Sequence, residues 1–418
     1  HHRCVIGTAS VVPDGAANGL GTHFDALGDV NGDGYDDFGV SGKTGGASAF
    51  VAIYLGGPNG PDLTAPEIVV RGIDGLTGAY GGFCGAGNFD GQVDPAPYAD
   101  IAVGEPATDR LHIIPGRGAW LPGQETVVID LDAPDVATDF GILTFEAQFG
   151  TVAWFGNRCR LAGDVLPTPG GGPPADDLLV HQANNDDSRL FVIPGRPLAA
   201  GDTRVLTRLD GVPTEEDGTS VRLRQDGTAT GAFVAGFGTS FQAADVTGDG
   251  VNDVIVAHTG RSTSTSGSDG KAVFIFDGQS IAASQGGDLR VGSAGAPKVG
   301  RAWVGAHGAV LEADVHGEFR GVSVIGDFDG WEWAGTPTLD IGIADRGFSH
   351  VELRFNHETD AGDEQLGLFP YREAIVTNPD AEGQFSAGMW LEGVGDVDGD
   401  GRVDVVIGTA MGGVLILR

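Results

Sequence analysis

One short pattern recurs six times along the 418 residues: a glycine, an acidic loop, an aspartate and a short apolar run. The instances are GDVNGDGYDDFGV from Gly28, GNFDGQVDPAPYADIAV from Gly87 and GDVLPTPGGGPPADDLLV from Gly163, then ADVTGDGVNDVIV from Ala244, GDFDGWEWAGTPTLDIGI from Gly326 and GDVDGDGRVDVVI from Gly395. Aligned on the last aspartate before the apolar run, they are anchored at Asp37, Asp100, Asp177, Asp253, Asp340 and Asp404, with spacings of 63, 77, 76, 87 and 64 residues. Such a period marks a repeat architecture, in which a single repeat cannot bury its apolar face and must stack on its neighbours.

Each repeat carries further shared parts. A segment rich in Gly and Phe or Trp precedes the loop, as in GLGTHF, YGGFC, TVAWFG and GFGTSF. Runs such as AFVAIYLGG, RLHIIPG, LFVIPG and AVFIFDG follow it, and EIVVRG, TVVIDL and RVLTRL close the early repeats. These runs are short, β-branched or aromatic, and bounded by turn residues, which is the pattern of strands. Glycine, at 72 residues, is about 17 % of the chain against a usual roughly 7 %. That abundance opposes helices and suits many tight turns. Four antiparallel strands per repeat at this period define propeller blades. The expected fold is an all-β, six-bladed propeller forming one domain over residues 1–418. Its N-terminal strand Cys4–Ala9 would complete the sixth blade, because the last repeat stops after its third strand. A seventh blade would need an unseen repeat, and the long spacing before Asp340 is the place for it.

Charge narrows the partners. The chain has 24 basic and 58 acidic side chains, a net charge of −34. Nucleic acids and anionic membranes are polyanions and are excluded as partners; cations are favoured. No run of about 18 apolar residues is present, so no membrane span is expected. The chain opens His1-His2-Arg3, without an initiator Met or signal-peptide core, and reads as a mature or trimmed form.

Three loops fit the pattern D-x-[DNT]-x-D-G-x-x-D. The first holds Asp29, Asn31, Asp33, Gly34 and Asp37; the second Asp245, Thr247, Asp249, Gly250 and Asp253; the third Asp396, Asp398, Asp400, Gly401 and Asp404. Alternate residues of a tight loop can turn their oxygens to one centre, and calcium takes about six to eight oxygens in a flexible shell. Position seven would supply a backbone carbonyl, so Tyr35, Val251 and Arg402 need no side-chain oxygen. These are not EF-hands: position twelve is Val40, Val256 and Ile407, where an EF-hand needs Glu. Three calcium sites are expected. Two further loops keep part of the set, Asn88, Asp90, Asp94 and Asp100 in the second repeat, and Asp327, Asp329 and Asp340 in the fifth, raising the possible number to five. In the third repeat Asp164 and Asp177 bracket a Pro/Gly-rich insert, and that loop is expected to be empty.

These repeats resemble FG-GAP repeats, the blades of integrin α-subunit propellers and of related bacterial proteins. The matching residues are Phe237-Gly238, the Asp245 loop and the run DVIVAH, with comparable runs in the other five repeats. The resemblance implies calcium with a structural role on one face. It implies an extracellular ligand, protein or glycan, on the other face, where His258, Arg261, Asp269, Trp303, His307 and His316 fall. The function expected is a secreted or cell-surface binding or adhesion module acting as a monomer. A carbohydrate-active enzyme of polysaccharide-lyase type, or a lectin, is the alternative on the same scaffold. No G-x-S-x-G, HExxH or CxxC motif is present, so no catalytic residue is assigned. Three cysteines cannot form a disulfide framework. Cys84 and Cys159 do occupy near-equivalent places in neighbouring repeats, and either a bridge or two buried thiols fits that spacing.

Overall fold

The computed structural model describes residues 17–18, 23–44, 49–63, 65–73, 82–93, 97–120, 126–148, 154–182, 188–197, 203–209, 212–215, 219–225, 237–246, 249–258, 272–291, 301–303, 319–326, 332–333, 336–337, 339–345, 350–356, 368–377, 387–393, 402–409 and 414–417. The fold is built almost wholly from β-strands in a succession of sheets. It divides into two compact units, the first made of His1–Asn184, Leu190–Arg222 and Gln285–Asp288, the second of the remaining residues.

In the first unit, β1 (Ala17–Asn18), β2 (Phe24–Gly28), β3 (Asp37–Thr44), β4 (Ala49–Tyr54) and β5 (Ile68–Ile73) lie in the first sheet. β6 (Phe83–Gly87), β7 (Asp100–Glu105) and β8 (Arg110–Ile114) open the second. The chain then departs from the expected meander. β9 (Val127–Asp130) returns to pair in parallel with β5 of the first sheet. The short helix α1 (Val136–Phe140) leads back to β10 (Leu143–Gln148), the fourth strand of the second sheet. The third repeat does the same. β11 (Phe155–Gly163), β12 (Asp177–Gln182) and β13 (Arg189–Ile193) are followed by β14 (Thr203–Leu209), which pairs in parallel with β10, and by β15 (Val212–Glu215) beside it. The expectation of four strands per repeat therefore needs correction: the first two sheets have six strands each. The excursion between strands three and four of one repeat extends the outer edge of the repeat before it. The added strands move the sheet edge outward, to β9 in the first sheet and β15 in the second.

β16 (Val221–Gln225) and β20 (Asp288–Val291) are divided between the two units. In the second unit, β17 (Phe237–Ala244), β18 (Asp253–His258), β19 (Ala272–Phe276) and β21 (Arg301–Trp303) form a four-stranded sheet, with helix α2 (Gly278–Ala283) after β19. β22 (Phe319–Gly326), β25 (Asp340–Asp345), β26 (His350–Asn356) and β27 (Leu368–Thr377) form the next, and β23 (Glu332–Trp333) and β24 (Thr336–Pro337) make a small hairpin within its loop. β28 (Ala387–Gly393), β29 (Val405–Thr409) and β30 (Val414–Leu417) form the last. The proposed closing strand Cys4–Ala9 lies outside the described residues.

Packing explains the alternation of side chains. Strands buried on both faces need apolar residues at successive positions, and β4 and β7 are buried at every residue. Val51, Ile53, Val70, Phe83, Ile101 and Val103 fill the space between the first and second sheets. Ala102, Leu111, Ile113, Phe145, Phe155, Leu178, Val180 and Phe191 fill that between the second and third. In the second unit Ile255, Ala257 and Ile275 pack on Val322 and Ile341. Each of β2, β6, β11 and β22 breaks register at a glycine, Gly28, Gly87, Gly163 and Gly326, all at positive φ. A left-handed residue at a bulge bends the strand and launches the loop. Beside this point Cys84 of β6 and Cys159 of β11 form a disulfide with Cα atoms 5.7 Å apart. Of the two arrangements open from spacing, the structure has the bridge.

Candidate metal centre

The first acidic loop is closed by its own side chains. Asp29 Oδ1 accepts from the N–H of Gly32 (2.6 Å) and Asp33 (3.1 Å), and Asp29 Oδ2 from that of Gly34 (2.8 Å). Asn31 Oδ1 accepts from Asp33 N and Asp33 Oδ1 from Tyr35 N, both at 2.9 Å. The equivalent loop of the fourth repeat repeats the pattern. Asp245 accepts from the N–H of Asp249 (3.0 Å) and Gly250 (2.8 Å), and Asp249 from that of Val251 (2.9 Å). Gly34 and Gly250 share a φ of 88°, open space where a Cβ would stand, and thus the turn only glycine adopts without strain.

Residues 32–36 are exposed. Asp29, Asn31 and Asp33 keep oxygen lone pairs beyond those the amides occupy. The donor set is all oxygen, which is the chemistry a hard cation such as calcium takes. Among the described residues, no three His, Cys, Asp or Glu side chains stand together at the spacing of a metal shell.

Position nine lies beneath the loop and is buried in every repeat. Asp37, Asp100, Asp177, Asp253, Asp340 and Asp404 are all at most 2 % exposed. In four repeats both carboxylate oxygens are engaged. One accepts from a loop N–H: Val30 for Asp37 (2.8 Å), Asp90 for Asp100 (2.9 Å), Val246 for Asp253 (3.0 Å), and both Val165 (2.8 Å) and Leu166 (2.6 Å) for Asp177. The other accepts from the glycine after strand three: Gly56 (2.6 Å), Gly116 (2.8 Å), Gly195 (2.8 Å) and Gly278 (2.9 Å). A Cβ on any of these glycines would meet the carbonyl oxygen of the residue just before the aspartate: Asp36, Ala99, Asp176 or Asn252. The aspartate therefore latches the loop to the end of strand three. Sequence reasoning assigned position nine only to the metal shell. The signal it passed over was the glycine closing each of IYLG, IIPG, VIPG and IFDG.

Burial raises the pKa of these carboxyls. It pushes Asp37 up to about 6 against the N–H groups of Gly56 and Val30, with Asp29 and Asp33 adding to the rise. It carries Asp177 up to about 7 against the N–H groups of Leu166, Gly195 and Val165. Asp100 is pushed up to about 8 by burial and then by the Asp90 carboxylate.

The remaining site residues are placed as follows. Thr247, Asp94, Asp327, Asp329, Asp396, Asp398, Asp400, Arg261, Asp269, His307 and His316 lie outside the described residues. In the second repeat Asp90 Oδ1 accepts from Gln92 N, and the N–H of Asn88 is taken by Asp176 of the third repeat at 2.8 Å. Arg402 is exposed on its loop. His258 ends β18 and Trp303 ends β21.

No protein-family model matches the chain. Over 113 residues it is 34 % identical to integrin alpha-PS2 of Drosophila melanogaster, a match covering 26 % of this chain and 8 % of that protein. The chain thus spans under a tenth of that relative's length. Among solved structures, the crystal structure of an exotype rhamnogalacturonan lyase is similar over 80 % of this chain and 47 % of that one, with a TM-score of 0.33 and 13 % identity. No helix among the described residues is long and apolar enough to cross a membrane.

Proposed function

We propose that the chain is an extracellular binding or adhesion module of the integrin-like FG-GAP type, with six sheets closing into a calcium-stabilised propeller that acts as a monomer. The observation that carries this reading is the recurrence of one acidic loop conformation, at Asp29–Asp37 and Asp245–Asp253, in a chain whose sequence is partly like an integrin α-chain. Asp29, Asn31, Asp33, the Tyr35 carbonyl and Asp37 would hold calcium in the first loop. Their counterparts around Asp245 and Asp396 would hold it in the fourth and sixth. Bound calcium supplies a cross-link between loop oxygens and cancels the repulsion of clustered carboxylates. The disulfide between Cys84 and Cys159 supports an oxidising compartment, since such bonds are rare in the cytosol.

Two measurements test the reading. Chelation is expected to lower the melting temperature, because a ligand bound only to the folded state stabilises it by mass action. An unchanged melt, with no calcium found by elemental analysis, removes the metal from the proposal. In calcium, arrays of glycans and extracellular-matrix proteins are expected to show saturable binding without turnover. Cleaved, unsaturated sugar products would replace the adhesion reading with a lyase.

A further inference from the structure

The acidic loops of the first two repeats carry carbonyls that are bonded outside their own repeat. In the first loop the side chains of Asp29, Asn31 and Asp33 take up loop N–H groups, and Val30 gives its N–H to Asp37. The carbonyls at positions one and two turn the other way. Asp29 C=O accepts from Ala99 N–H and Val30 C=O from Arg117 N–H, both at 2.9 Å and both from the second repeat. The second repeat presents the same two carbonyls to the third. Asn88 C=O accepts from Asp176 N–H (3.1 Å) and Phe89 C=O from Arg196 N–H (2.7 Å).

The donors stand at one place in the next repeat. Ala99 comes just before Asp100 and Arg117 just after Gly116, whose N–H ends on Asp100 at 2.8 Å. Asp176 and Arg196 flank Asp177 and Gly195 in the same way. Each loop is thus bonded to the two residues that flank the latch of the repeat after it. The residue at position two faces both ways. Val30 gives its N–H to Asp37 and its carbonyl to Arg117, and Phe89 gives its N–H to Asp100 and its carbonyl to Arg196.

Packing closes the joint. A Cβ on Gly116 would stand 3.0 Å from the Val30 carbonyl oxygen, and one on Gly195 2.8 Å from that of Phe89. A Cβ on Gly28, just before the first loop, would stand 2.9 Å from Ala99 Cβ, and one on Gly32 would run into the Tyr98 ring. Atoms packed this closely have no room to move independently, so the loop and the next latch shift together.

We propose that the first acidic loop and the latch of the second repeat are one coupled element, so that ordering the loop, through Asp29 or through a bound cation, tightens the second repeat. The coupling runs between neighbours. It reaches Ala99 and Arg117 and stops short of the Val165 and Leu166 amides, which Asp177 holds within the third repeat. Linkage makes it reciprocal. Its cation arm rests on the calcium reading above; its Asp29 arm does not.

The test is hydrogen exchange of the whole chain, read by mass spectrometry on peptides that hold Ala99 and Arg117, with the folding of each variant checked by circular dichroism. Without calcium, Asp29→Ala removes the carboxylate that gathers the Gly32, Asp33 and Gly34 amides. Exchange at both second-repeat amides is then expected to rise about fivefold, the scale of one hydrogen bond. Asp29→Asn keeps an acceptor oxygen and should give a smaller rise. Asp245→Ala, the same loss in the fourth repeat, should leave both amides unchanged. In the reverse direction Gly116→Ala should speed exchange at Gly34, and Gly195→Ala should not. A rise confined to residues 30–36, an equal rise at Ala99 and Arg117 from Asp245→Ala, or an equal effect of Gly195→Ala on Gly34 would overturn the inference. Calcium added to the unaltered chain should slow exchange at Ala99 and Arg117. If calcium slows exchange in the first loop alone, the calcium reading stands and the coupling falls. If calcium changes nothing while Asp29→Ala acts as expected, the coupling stands and the calcium reading falls.

Discussion

Replacing Asp177 by alanine should destabilise the first unit whether or not calcium is present. Three backbone N–H groups, those of Val165, Leu166 and Gly195, end on this one carboxylate at 2.6–2.8 Å. The aspartate is fully buried, so alanine leaves three donors without a partner in a space that water does not reach. Each buried unpaired group costs about 1–3 kcal/mol. Removing a carboxyl whose pKa burial has raised returns part of that cost, so a net loss of about 3 kcal/mol is expected. In a cooperative block of about 200 residues this lowers the melting temperature by roughly 6–12 °C. The assay is thermal unfolding followed by near-ultraviolet circular dichroism, with chelator and with calcium. Asp164→Ala, at position one of the same loop, is the control and should move the midpoint little. The third repeat is informative because it lacks the alternating acidic set. Were Asp177→Ala neutral, or harmful only in calcium, the latch would be wrong.

Other outcomes follow from the same geometry. Gly195→Ala should destabilise by about 1–3 kcal/mol in a urea titration, because its Cβ meets the Asp176 carbonyl and overpacking strains the backbone. In calcium-free buffer, stability should fall as pH rises from about 4 to about 7. The Asp177 carboxyl has a folded pKa of about 7 against an ordinary 3.8, so the native state binds more protons than the unfolded chain across that window. Melting curves that improve with rising pH would contradict this. Reduction of Cys84–Cys159, or Cys84→Ala with Cys159→Ala, should cost up to about 4 kcal/mol for a loop of 75 residues, seen as a lower melting temperature that reductant no longer shifts in the double variant. Chelation should protect the Asp177 region from change while exposing the Asp29 and Asp245 loops, read by hydrogen exchange at Gly34 and Gly250.

The alignment on the last aspartate was legible from sequence because burial makes that residue obligatory. Six carboxylates at most 2 % exposed precede six short apolar runs, and a one-residue slip would turn each run to the wrong face. The acidic loops were equally legible, since oxygen-bearing residues at alternate positions ahead of a glycine have few other uses. What could not be read was partnership at long range. The run TVVID reads as the closing strand of its own repeat, and it pairs instead with β5 of the repeat before it, Ile68 opposite Val127. A short β-branched run carries no label for its partner.

Latch and loop also separate two tasks that a nine-residue motif makes look like one. In the third repeat the loop has lost its alternating acidic residues and gained prolines and glycines, yet Asp177 keeps its three N–H contacts and Gly195 still closes the end of strand three. In the second repeat Asp100 likewise holds Asp90 and Gly116, although its loop departs from the pattern. The turn can therefore be built with no metal set at all. What the intact loops add is a concentration of carboxylates on an exposed tip, where they accept the loop's own N–H groups and their like charges repel. The calcium proposed above would offset that repulsion through the lone pairs the amides leave open. On that proposal the two roles would respond to different perturbations: position nine to burial and pH, and positions one, three and five to the cation.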